Sequence, residues 1–457
     1  MRVFKSIQQH DRNKIALRDE IHAVSYGDLE HEIQTRVEAL YNVSVLGIAL
    51  DNSVDWILWD LAALKAQIPC VPIPPFFTKE QVSHLLHSAG VSHLLSPEGL
   101  RDTGTGREDI LPEGTAKVTF TSGTTGTPKG VCLPHSAMEN VAGSIVDVLG
   151  DEFVGIHASL LPLAVLLENV AGVYAGLMAG CTIHISKLQA FGQNYENVHE
   201  VLKDTKANSA IVVPEILRTL IAQVAVHGPL PHLKFIAVGG SKVDPALVMQ
   251  ARKMGIPVYE GYGLSECASV VSLNTPQNDK PGSVGKILPH IKARIIDGEI
   301  QIKEPGFLGY INEPAPHIYN TGDLGQLDED GFLSVTGRKK NVLITSYGRN
   351  VSPEWVEAVL MAEQAIAQVV VYGDAQPNLS ALIVPSSADA NIEDTIQAAN
   401  KTLPDYAQVK EFHIVPPFTI QNGTLTGTGR PRRDHILTLY TRNNKKENTN
   451  EFLQHAG

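Results

Sequence analysis

The most informative segment of the chain is Thr119-Phe-Thr-Ser-Gly-Thr-Thr-Gly-Thr-Pro-Lys-Gly-Val-Cys-Leu-Pro-His135. After a β-favouring run from Lys117 to Thr121, it places three glycines, five hydroxyl side chains and one lysine in ten residues. Glycine lets a backbone approach a ligand closely, hydroxyls donate to phosphate oxygens, and Lys129 adds a compact positive charge. An ordinary polar surface loop has no need of Lys129 or Pro128. The segment predicts a polyphosphate-binding loop whose ligand-binding residues are Thr121, Ser122, Gly123, Thr124, Thr125, Gly126 and Lys129.

This loop differs from the phosphate loop of the common NTPases, which requires Gly, four residues and then Gly-Lys-Ser/Thr entering a helix. Here Lys129 follows Pro128, and Gly130-Val-Cys-Leu-Pro134 predicts a second strand. A strand, a loop and a second strand form a flap over phosphates rather than a nest at a helix start. The segment closely resembles the phosphate loop of the adenylate-forming superfamily, which includes acyl-CoA synthetases, nonribosomal-peptide adenylation domains and beetle luciferases.

Composition limits the class of protein. The chain has 457 residues, 43% of them hydrophobic and 19% charged, which is typical of a globular protein with more than one domain. The net charge of −12 argues against a general nucleic-acid binder. The most apolar stretch, Leu160 to Ile185, is interrupted by Glu168 and Asn169, so we expect a buried helix and strand rather than a membrane span.

Cysteines and histidines give no sign of a metal or disulfide framework. The four cysteines lie far apart and form no Cys-x-x-Cys pair, which favours a reducing compartment. His84, His87 and His93 lie close together, but no carboxylate or cysteine completes a ligand set. The N-terminal residues contain no apolar run of signal-peptide length, and we expect a cytoplasmic protein.

The alternation of elements predicts an α/β fold. Strand–helix units recur from residue 43 to residue 259, among them a helix at Val165–Met178, which implies mostly parallel sheets covered by helices. We expect a loop from 100 to 116. Beyond Pro281, short strands with turns that include Asp297-Gly298 and Glu313-Pro314 predict a small antiparallel sheet or distorted β-barrel.

Mixed helices and strands after Arg338 predict a small, mobile α+β C-terminal domain. The expected organisation is a large ATP- and acid-binding domain over residues 1–337, a hinge at 338–342, the small domain at 343–440 and a frayed tail at 441–457.

Two glycine-rich segments resemble the superfamily's adenine-binding motifs. Val238-Gly-Gly-Ser241 follows a strand, where two glycines let a flat ligand lie against the backbone. Tyr259-Glu-Gly-Tyr-Gly-Leu-Ser-Glu266 resembles the aromatic–Gly–x–Thr–Glu motif, in which Tyr262 would stack on adenine and Glu266 would hold Mg²⁺ against the phosphates. The residues that the resemblance assigns to the nucleotide here are Gly239, Gly240, Ser241, Glu260, Gly261, Tyr262, Gly263 and Ser265.

Three later segments resemble the ribose, hinge and acceptor motifs. In Tyr319-Asn-Thr-Gly-Asp323 the aspartate would accept hydrogen bonds from the ribose hydroxyls, as a carboxylate does in dinucleotide folds. In Gly337-Arg-Lys-Lys-Asn-Val-Leu-Ile344, Arg338 would also reach the ribose, and Lys340 would occupy the hinge. The segment Gly348-Arg-Asn-Val-Ser-Pro353 resembles the one that lines the path of the thiol acceptor.

One motif departs from the superfamily. Leu425-Thr-Gly-Thr-Gly-Arg-Pro-Arg-Arg433 lies where the family carries Thr-x-x-Gly-Lys-x-x-Arg, so Arg430 replaces the lysine that bridges carboxylate and α-phosphate. Arginine is a planar fork and lysine a compact ammonium, so the exchange is not conservative. Adenylation by this chain is slow, uses a re-aimed Arg430, or is lost.

The resemblance, which spans roughly residues 12 to 436, implies an acid–thiol ligase. With ATP and Mg²⁺, the chain would convert a carboxylic acid into an acyl-adenylate and pass the acyl group to CoA or to the phosphopantetheine of an acyl carrier protein. Lys129, Glu266 and Arg430 would share the catalytic work, because stabilising negative charge matters more here than a nucleophilic side chain.

The identity of the acid depends on Leu161-Pro-Leu-Ala-Val-Leu-Leu-Glu-Asn169. This run has no early aspartate to bind an α-ammonium, and it resembles the Leu-Pro-Leu-x-His-x-x-Glu run of fatty acyl-CoA synthetases, with Val165 in place of the histidine. An apolar wall favours a fatty or related acid. Two alternatives stay open: an adenylate-forming enzyme with a non-thiol outcome, and a degenerate nucleotide-binding protein. The acid, the acceptor and the oligomeric state are left undetermined.

Overall fold

The computed structural model describes residues 1–106, 110–121, 128–188, 195–426 and 430–440. It divides into two compact units. Unit 1 comprises Met1–Thr321 and Gly325–Val335, and unit 2 comprises Gly322–Leu324 and Thr336–Gly457. A mixed α/β architecture with a large N-terminal unit built on sheets and a smaller C-terminal unit confirms the predicted fold class.

The helices of the described residues follow the predicted pattern closely. In unit 1 they are α1 Arg2–Ile7, α2 Leu29–Ala39, α3 Val54–Ala66, α4 Lys79–Ser88, α5 His135–Leu149, α6 Ala175–Ala179, α7 Val198–Thr205, α8 Pro214–His227 and α9 Pro245–Lys253, and in unit 2 they are α10 Pro353–Met361 and α11 Ile392–Asn400. A π-helix, Leu167–Tyr174, precedes α6, and short 3₁₀ turns occur at Gly150–Glu152, Ser265–Cys267, Lys339–Asn341 and Asp405–Ala407.

The strands are, in chain order, β1 Ile15–Arg18, β2 Ala23–Ser25, β3 Leu46–Ile48, β4 Cys70–Pro72, β5 His93–Ser96, β6 Gly99–Asp102, β7 Lys117–Thr121, β8 Lys129–Leu133, β9 Ile156–Ser159, β10 Thr182–Ile185, β11 Ser209–Val212, β12 Phe235–Val238, β13 Val258–Leu264, β14 Ser269–Leu273, β15 Lys286–Ile287, β16 Lys292–Ile296, β17 Glu299–Lys303, β18 Gly309–Tyr310, β19 Glu313–Pro314, β20 Ile318–Leu327, β21 Leu333–Arg338, β22 Leu343–Ile344, β23 Asn350–Val351, β24 Ile366–Tyr372, β25 Leu379–Pro385 and β26 Val409–Ile414.

The largest sheet, which we call sheet A, has the order β15-β14-β13-β12-β11-β9-β10-β1-β2. The central strands β13, β12, β11, β9, β10 and β1 are parallel to their neighbours in this group. The outer strands β2, β14 and β15 pair antiparallel. The buried apolar strands of the parallel centre need helices on both faces, which explains the strand–helix alternation in the sequence. The strand β12 ends at Val238, which pairs with Glu260, and β13 continues beyond that point to Leu264.

The second sheet, sheet B, has the order β19-β18-β8-β7-β4-β3-β5-β6. The strands β7 and β8 pair antiparallel from Lys117↔Leu133 to Thr121↔Lys129, as predicted for the two strands of the flap. On the other side of β8, the short strand β18 pairs Tyr310 with Val131. Sheet B therefore places Tyr310 beside the strand that carries Lys129.

Local signals explain where several helices begin. The Ser53 side chain accepts the N–H of Trp56 at 3.1 Å and starts α3, and Thr78 and Gln81 form a capping box at α4. Asp244 caps α9 by accepting the N–H of Ala246 at 2.6 Å, with proline at the first helical position. These caps lie where the sequence pattern predicts helix starts.

Four predictions about elements require correction. Residues 99–102 form β6 rather than a loop, because they pair with β5. The pair Glu313-Pro314 is strand β19 rather than a turn, and β18 and β19 belong to sheet B instead of the small sheet. That small antiparallel sheet has the order β16-β17-β20-β21. The helix expected at Val165–Met178 is a π-helix that continues into α6.

The apolar stretch from Leu160 to Ile185 is buried helix and strand, as predicted. Leu177, Ile183 and Ile185 are fully buried in the main core of unit 1. Among the described helices, none combines the length and the apolar character that crossing a bilayer requires.

Unit 2 has a hydrophobic core of its own. Its sheet has the order β24-β25-β26, and α10 and α11 contribute Leu360 and Ile396 to one cluster. A second cluster on the same sheet contains Leu382 and Phe418. The hairpin β22–β23 forms a small separate sheet.

Candidate active site

The ends of β7 and β8 form the base of the predicted phosphate flap. Thr121 and Lys129 are paired at the last register position of the hairpin, and the Lys129 side chain is exposed. Ser122, Gly123, Thr124, Thr125 and Gly126, the remaining residues of the predicted loop, lie outside the described residues. The structure thus fixes where the flap leaves the sheet and where it returns.

Lys129 returns to the sheet next to Tyr310. Its ammonium lies 5.0 Å from the centre of the Tyr310 ring, within the range of a cation–π contact. The Tyr310 hydroxyl donates to Glu266 Oε1 at 2.7 Å and lies 3.1 Å from the hydroxyl of Tyr319. These contacts bring the predicted phosphate ligand Lys129 to the ring, and the predicted magnesium ligand Glu266 to the hydroxyl, of one tyrosine.

The surroundings of Tyr310, Tyr319 and Glu266 favour the binding of a cation. Burial and the Glu266 carboxylate raise the pKa of both Tyr310 and Tyr319, so both hydroxyls stay protonated and can donate to Glu266. Glu266 is half-buried in the turn Ser265–Cys267, directly after β13. Mg²⁺ in nucleotide sites is held by one or two carboxylates plus phosphate oxygens, and Glu266 fits that donor set.

Tyr310 was not predicted from the sequence. It lies in the two-residue strand β18, which carries no periodicity, and only its pairing with β8 brings it near Lys129. The resemblance placed Lys129 and Glu266 on the same phosphates, but no signal in the sequence indicated that Tyr310 would contact both of them.

The glycines of the predicted adenine edge lie at the carboxyl ends of β12 and β13. A Cβ atom added to Gly239 would lie 3.0 Å from the carbonyl oxygen of Gly261, so only glycine lets the two backbones come this close. Gly240 follows at φ +85°, a conformation that glycine adopts readily. Ser241 continues this loop.

The same edge carries the next predicted residues. Tyr262 and Gly263 lie in the final part of β13, and Ser265 follows directly after that strand. A Cβ atom on Gly263 would lie 1.8 Å from the carbonyl oxygen of Ser269, because β13 and β14 approach closely. Tyr262 packs, partly buried, against the cluster that contains Val271 and Ile300. The structure therefore brings together the adenine residues predicted from two segments 20 residues apart.

Glu260 has a structural environment that the motif did not indicate. It is 4% exposed, and its carboxylate accepts the N–H of Gly282 at 2.9 Å. Burial raises its pKa to about 7, against the opposing effects of the Gly282 hydrogen bond and the Arg252 cation. The observed partner of the Glu260 carboxylate is thus the backbone N–H of Gly282. We therefore assign Glu260 to support of the hairpin formed by β13 and β14.

In unit 2, Asp323 and Arg338 form an ion pair. Arg338 Nε lies 2.7 Å from Asp323 Oδ1, and Asp323 is buried. Arg430 lies within electrostatic range of both residues. The two residues predicted to bind ribose and the arginine at the position of the usual lysine therefore occupy one charged cluster.

The segment around Arg430 is anchored at both ends. Arg430 N–H donates to Thr426 Oγ1 at 3.0 Å, and Thr426 N–H donates to the carbonyl of Arg430 at 2.7 Å. Arg433 binds Glu357 of α10 with distances of 2.6 and 2.7 Å to the two carboxylate oxygens. Both contacts are made by Nη2, while Nη1 donates to the carbonyl of Val371 at 2.6 Å. These several donors explain why an arginine ends the motif.

Lys340, the predicted hinge residue, lies in the 3₁₀ turn Lys339–Asn341 of unit 2. Burial and the neighbouring Arg338 cation lower the pKa of its ammonium, and Asp434 and Glu354 oppose that effect. The hinge role stays a prediction.

Known proteins resemble this chain along most of its length. The family described as AMP-binding enzyme matches residues 3–111 and 101–312, and the family described as AMP-binding enzyme C-terminal domain matches residues 340–444. The long-chain-fatty-acid–CoA ligase FadD15 of Mycobacterium bovis is 29% identical over 415 residues, which cover 71% of this chain and 68% of that protein.

Solved structures share the fold. The O-succinylbenzoate coenzyme A synthetase (MenE) of Bacillus subtilis in complex with ATP and a magnesium ion has a TM-score of 0.77 at 22% identity, covering 95% of this chain and 98% of that one. The anthranilate CoA ligase AuaEII in complex with anthranoyl-AMP has a TM-score of 0.82 at 18% identity, covering 96% of each chain.

Proposed function

The chain belongs to the family of AMP-binding enzymes, and from that premise we propose that it is an ATP-dependent acid–thiol ligase. It activates a carboxylic acid as an acyl-adenylate, releases pyrophosphate, and transfers the acyl group to a thiol with release of AMP. The observation that supports this most directly is the contact series from Lys129 through Tyr310 to Glu266. In these contacts the Lys129 ammonium and the Glu266 carboxylate, our proposed phosphate and magnesium ligands, contact one tyrosine.

In the first step a carboxylate attacks an α-phosphate that already carries negative charge. Lys129 stabilises the triphosphate as the P–O bond to pyrophosphate breaks, and Tyr310 holds the Glu266 carboxylate in orientation by its hydrogen bond. Mg²⁺ bound at Glu266 would neutralise phosphate charge. Loss of one such electrostatic contact typically raises a barrier by about 3–4 kcal/mol, which slows the reaction about a hundred- to a thousandfold.

We propose that the acid is fatty or a related apolar acid. The wall Leu161–Leu167 is largely buried and apolar, with Leu161, Leu163 and Leu166 in the core, and FadD15 is named for long-chain fatty acids. Aromatic acids are the second class to test, because two neighbours in fold are named for succinylbenzoate and anthranilate.

CoA is the proposed acceptor, because the relative and both neighbours are named as CoA ligases. The phosphopantetheine of a carrier protein is the alternative acceptor. We place the enzyme in the cytoplasm, since Cys70, Cys132, Cys181 and Cys267 are free and buried, as expected where thiols stay reduced.

The function is tested with a panel of straight-chain fatty acids, aryl acids and amino acids. Pyrophosphate release, hydroxylamine trapping of the acyl-adenylate and consumption of CoA are measured for each acid. We expect pyrophosphate release and CoA consumption with apolar acids, and a loss of about a hundredfold or more in Glu266→Gln. ATP binding without pyrophosphate release for any acid would instead identify a degenerate nucleotide-binding protein, and pyrophosphate release without CoA consumption would identify a non-thiol outcome.

A further inference from the structure

The π-helix Leu167–Tyr174 contacts two separate groups of buried polar residues. Its adjacent residues Glu168 and Asn169 are at most 1% exposed, yet each binds different partners. A π-helix is rare, and where one occurs it is frequently at a functional site.

Glu168 connects sheet A to the predicted acid-binding wall. Its Oε1 lies 3.0 Å from Nε2 of His157, whose Nδ1 lies 3.0 Å from the hydroxyl of Ser209. Its Oε2 accepts the N–H of Leu161 at 3.1 Å. The carboxylate thus ties the first residue of the wall to β9 and β11.

Asn52, which lies just before α3, holds the same wall from the other side. Its amide nitrogen donates to the carbonyl of Leu161 at 2.8 Å, and its amide oxygen accepts the N–H of Leu163 at 2.9 Å. The backbone from Leu161 to Leu163 is therefore fixed by two buried side chains.

Asn169 connects the π-helix to the strand that leads into the phosphate flap. Its amide nitrogen donates to Asp60 Oδ2 at 3.0 Å, and its amide oxygen accepts from the ammonium of Lys117. Lys117, the first residue of β7, also donates to Asp60 Oδ2 at 3.0 Å, and Tyr174 donates to the same oxygen at 2.9 Å. A lysine that is 1% exposed is retained only where such partners compensate its charge.

Gly172 provides the space for this arrangement. A Cβ atom at this position would lie 2.4 Å from Oε1 of Glu168 and 2.7 Å from Nε2 of His157. Any larger residue would push the carboxylate and the imidazole apart. The π-helix, its glycine and its two polar residues form one unit, which we call the π clamp (residues 167–174).

We propose that Glu168 and Asn169 are positioning residues, and that the π clamp fixes the distance between the acid-binding wall and β7, the strand that leads into the phosphate flap. The inference rests on the proposed function, in which a carboxylate on the wall attacks a phosphate under the flap. Proximity effects of this kind depend on the two reactants being aligned, and a misplacement of about 1 Å can cost about a hundredfold in rate. Each substrate still binds its own side of the site.

The test uses Asn169→Leu in the full-length protein. Leucine matches asparagine in size and leaves the Lys117–Asp60 and Tyr174–Asp60 contacts in place. We expect kcat for pyrophosphate release to fall about a hundredfold, with the KM for ATP and for the acid each within about twofold of the wild-type values. The matched control is Ser144→Ala, which removes a part-buried side-chain hydrogen bond of unit 1, to His290 at 2.8 Å, and should leave kcat unchanged.

A second measurement needs no activity and no substrate. Amide hydrogen exchange in Asn169→Leu should accelerate about tenfold or more at the β7 amides and at Leu161 and Leu163, with α8 unaffected. Gly172→Ala serves as a second variant with the same expectation at Leu161. A wild-type value of kcat in Asn169→Leu, or unchanged hydrogen exchange at these amides, overturns the proposal of the π clamp. If the wild-type enzyme releases no pyrophosphate, the proposed function is overturned instead. The hydrogen-exchange result then tests the π clamp by itself.

Discussion

Glu260 lies in β13 and Glu266 in the turn that follows it, and the two carboxylates have different surroundings. Glu266 is half-buried beside the hydroxyl of Tyr310, whereas Glu260 is buried and accepts a backbone N–H from Gly282. One carboxylate can bind an incoming cation and the other is already committed to the fold. The resemblance assigns both residues to the nucleotide site and makes Glu266 the magnesium ligand, and their contacts distinguish them further.

The raised pKa of Glu260 predicts a pH-dependent effect on stability. Because its pKa is about 7 in the folded chain and lower when unfolded, the folded state binds the proton more tightly between pH 4.5 and 7. Stability therefore falls as pH rises through that window. Glu260→Gln should raise the free energy of unfolding at pH 8 by about 2–3 kcal/mol and have little effect below pH 4.5.

The measurement for Glu260 is urea denaturation of wild type and variant across this pH range. Glu329→Gln, at an exposed position, is the control and should show no pH-dependent difference. A gain for Glu260→Gln that is equal at pH 4 and pH 8 contradicts the argument.

The arginine at position 430 predicts that restoring lysine there increases activity. It shares a charged cluster with Asp323 and Arg338, and it occupies the position of the family's catalytic lysine. A compact ammonium suits a bridge between carboxylate and α-phosphate. Arg430→Lys should therefore speed adenylate formation by about tenfold, which is less than the roughly hundred- to thousandfold effect of a whole electrostatic contact. Single-turnover adenylate formation measures this, and Arg432→Lys is the neighbouring control. An unchanged rate would assign that work to another residue.

At the scale of elements, α4 supports the flap. His84 Nε2 lies 3.1 Å from the carbonyl oxygen of Pro128, and its ring meets the edge of Phe120 with centres 6.3 Å apart. Phe120 lies in β7 and Pro128 directly precedes β8, so one side chain of α4 contacts both arms of the hairpin. His84 belongs to the group of neighbouring histidines for which the sequence shows no complete metal-ligand set. Its contacts indicate that it positions the flap.

His84→Phe tests this role of α4. Phenylalanine keeps the ring contact with Phe120 and removes the hydrogen bond to Pro128, which is worth about 1 kcal/mol. The KM for ATP should rise about fivefold with kcat nearly unchanged. His87→Phe is the matched control, because His87 Nδ1 contacts only the carbonyl of Ser83 in its own helix at 2.8 Å among the contacts described. Equal KM values for His84→Phe and wild type would remove His84 from the flap.

At the scale of the whole molecule, each unit has its own core. Over the residues that the structure describes, the clusters around Leu217 and around Leu382 belong to unit 1 and unit 2 respectively. Units with separate cores are expected to unfold with separate stabilities.

Leu382→Ala should therefore lower one unfolding transition and spare the other. Leu382 is fully buried in unit 2, and removing its side chain should cost that unit about 2–5 kcal/mol. Calorimetry of the full-length chain measures this, with Leu217→Ala, fully buried in unit 1, as the reciprocal control. A single transition that shifts equally in both variants contradicts two independent cores.

Local pattern and glycine chemistry determined much of this protein. The β7–β8 hairpin, the start of α9 at Asp244-Pro245, and the glycines after β12 and within β13 were predictable, because each depends on residues within a few positions of one another. The motif resemblance gave the family on the same local grounds.

Contacts between distant residues were decided by the tertiary structure alone. Tyr310 on Glu266, Asn169 between Lys117 and Asp60, and Glu357 on Arg433 join residues 44, 52, 109 and 76 positions apart. The addition of β18 and β19 to sheet B and the π-helix in place of a regular helix also depend on distant partners. Sequence periodicity indicates which face of an element is buried. A buried charge, however, is tolerated only where the folded chain brings a polar or charged partner next to it, and that partner can be far away in the sequence.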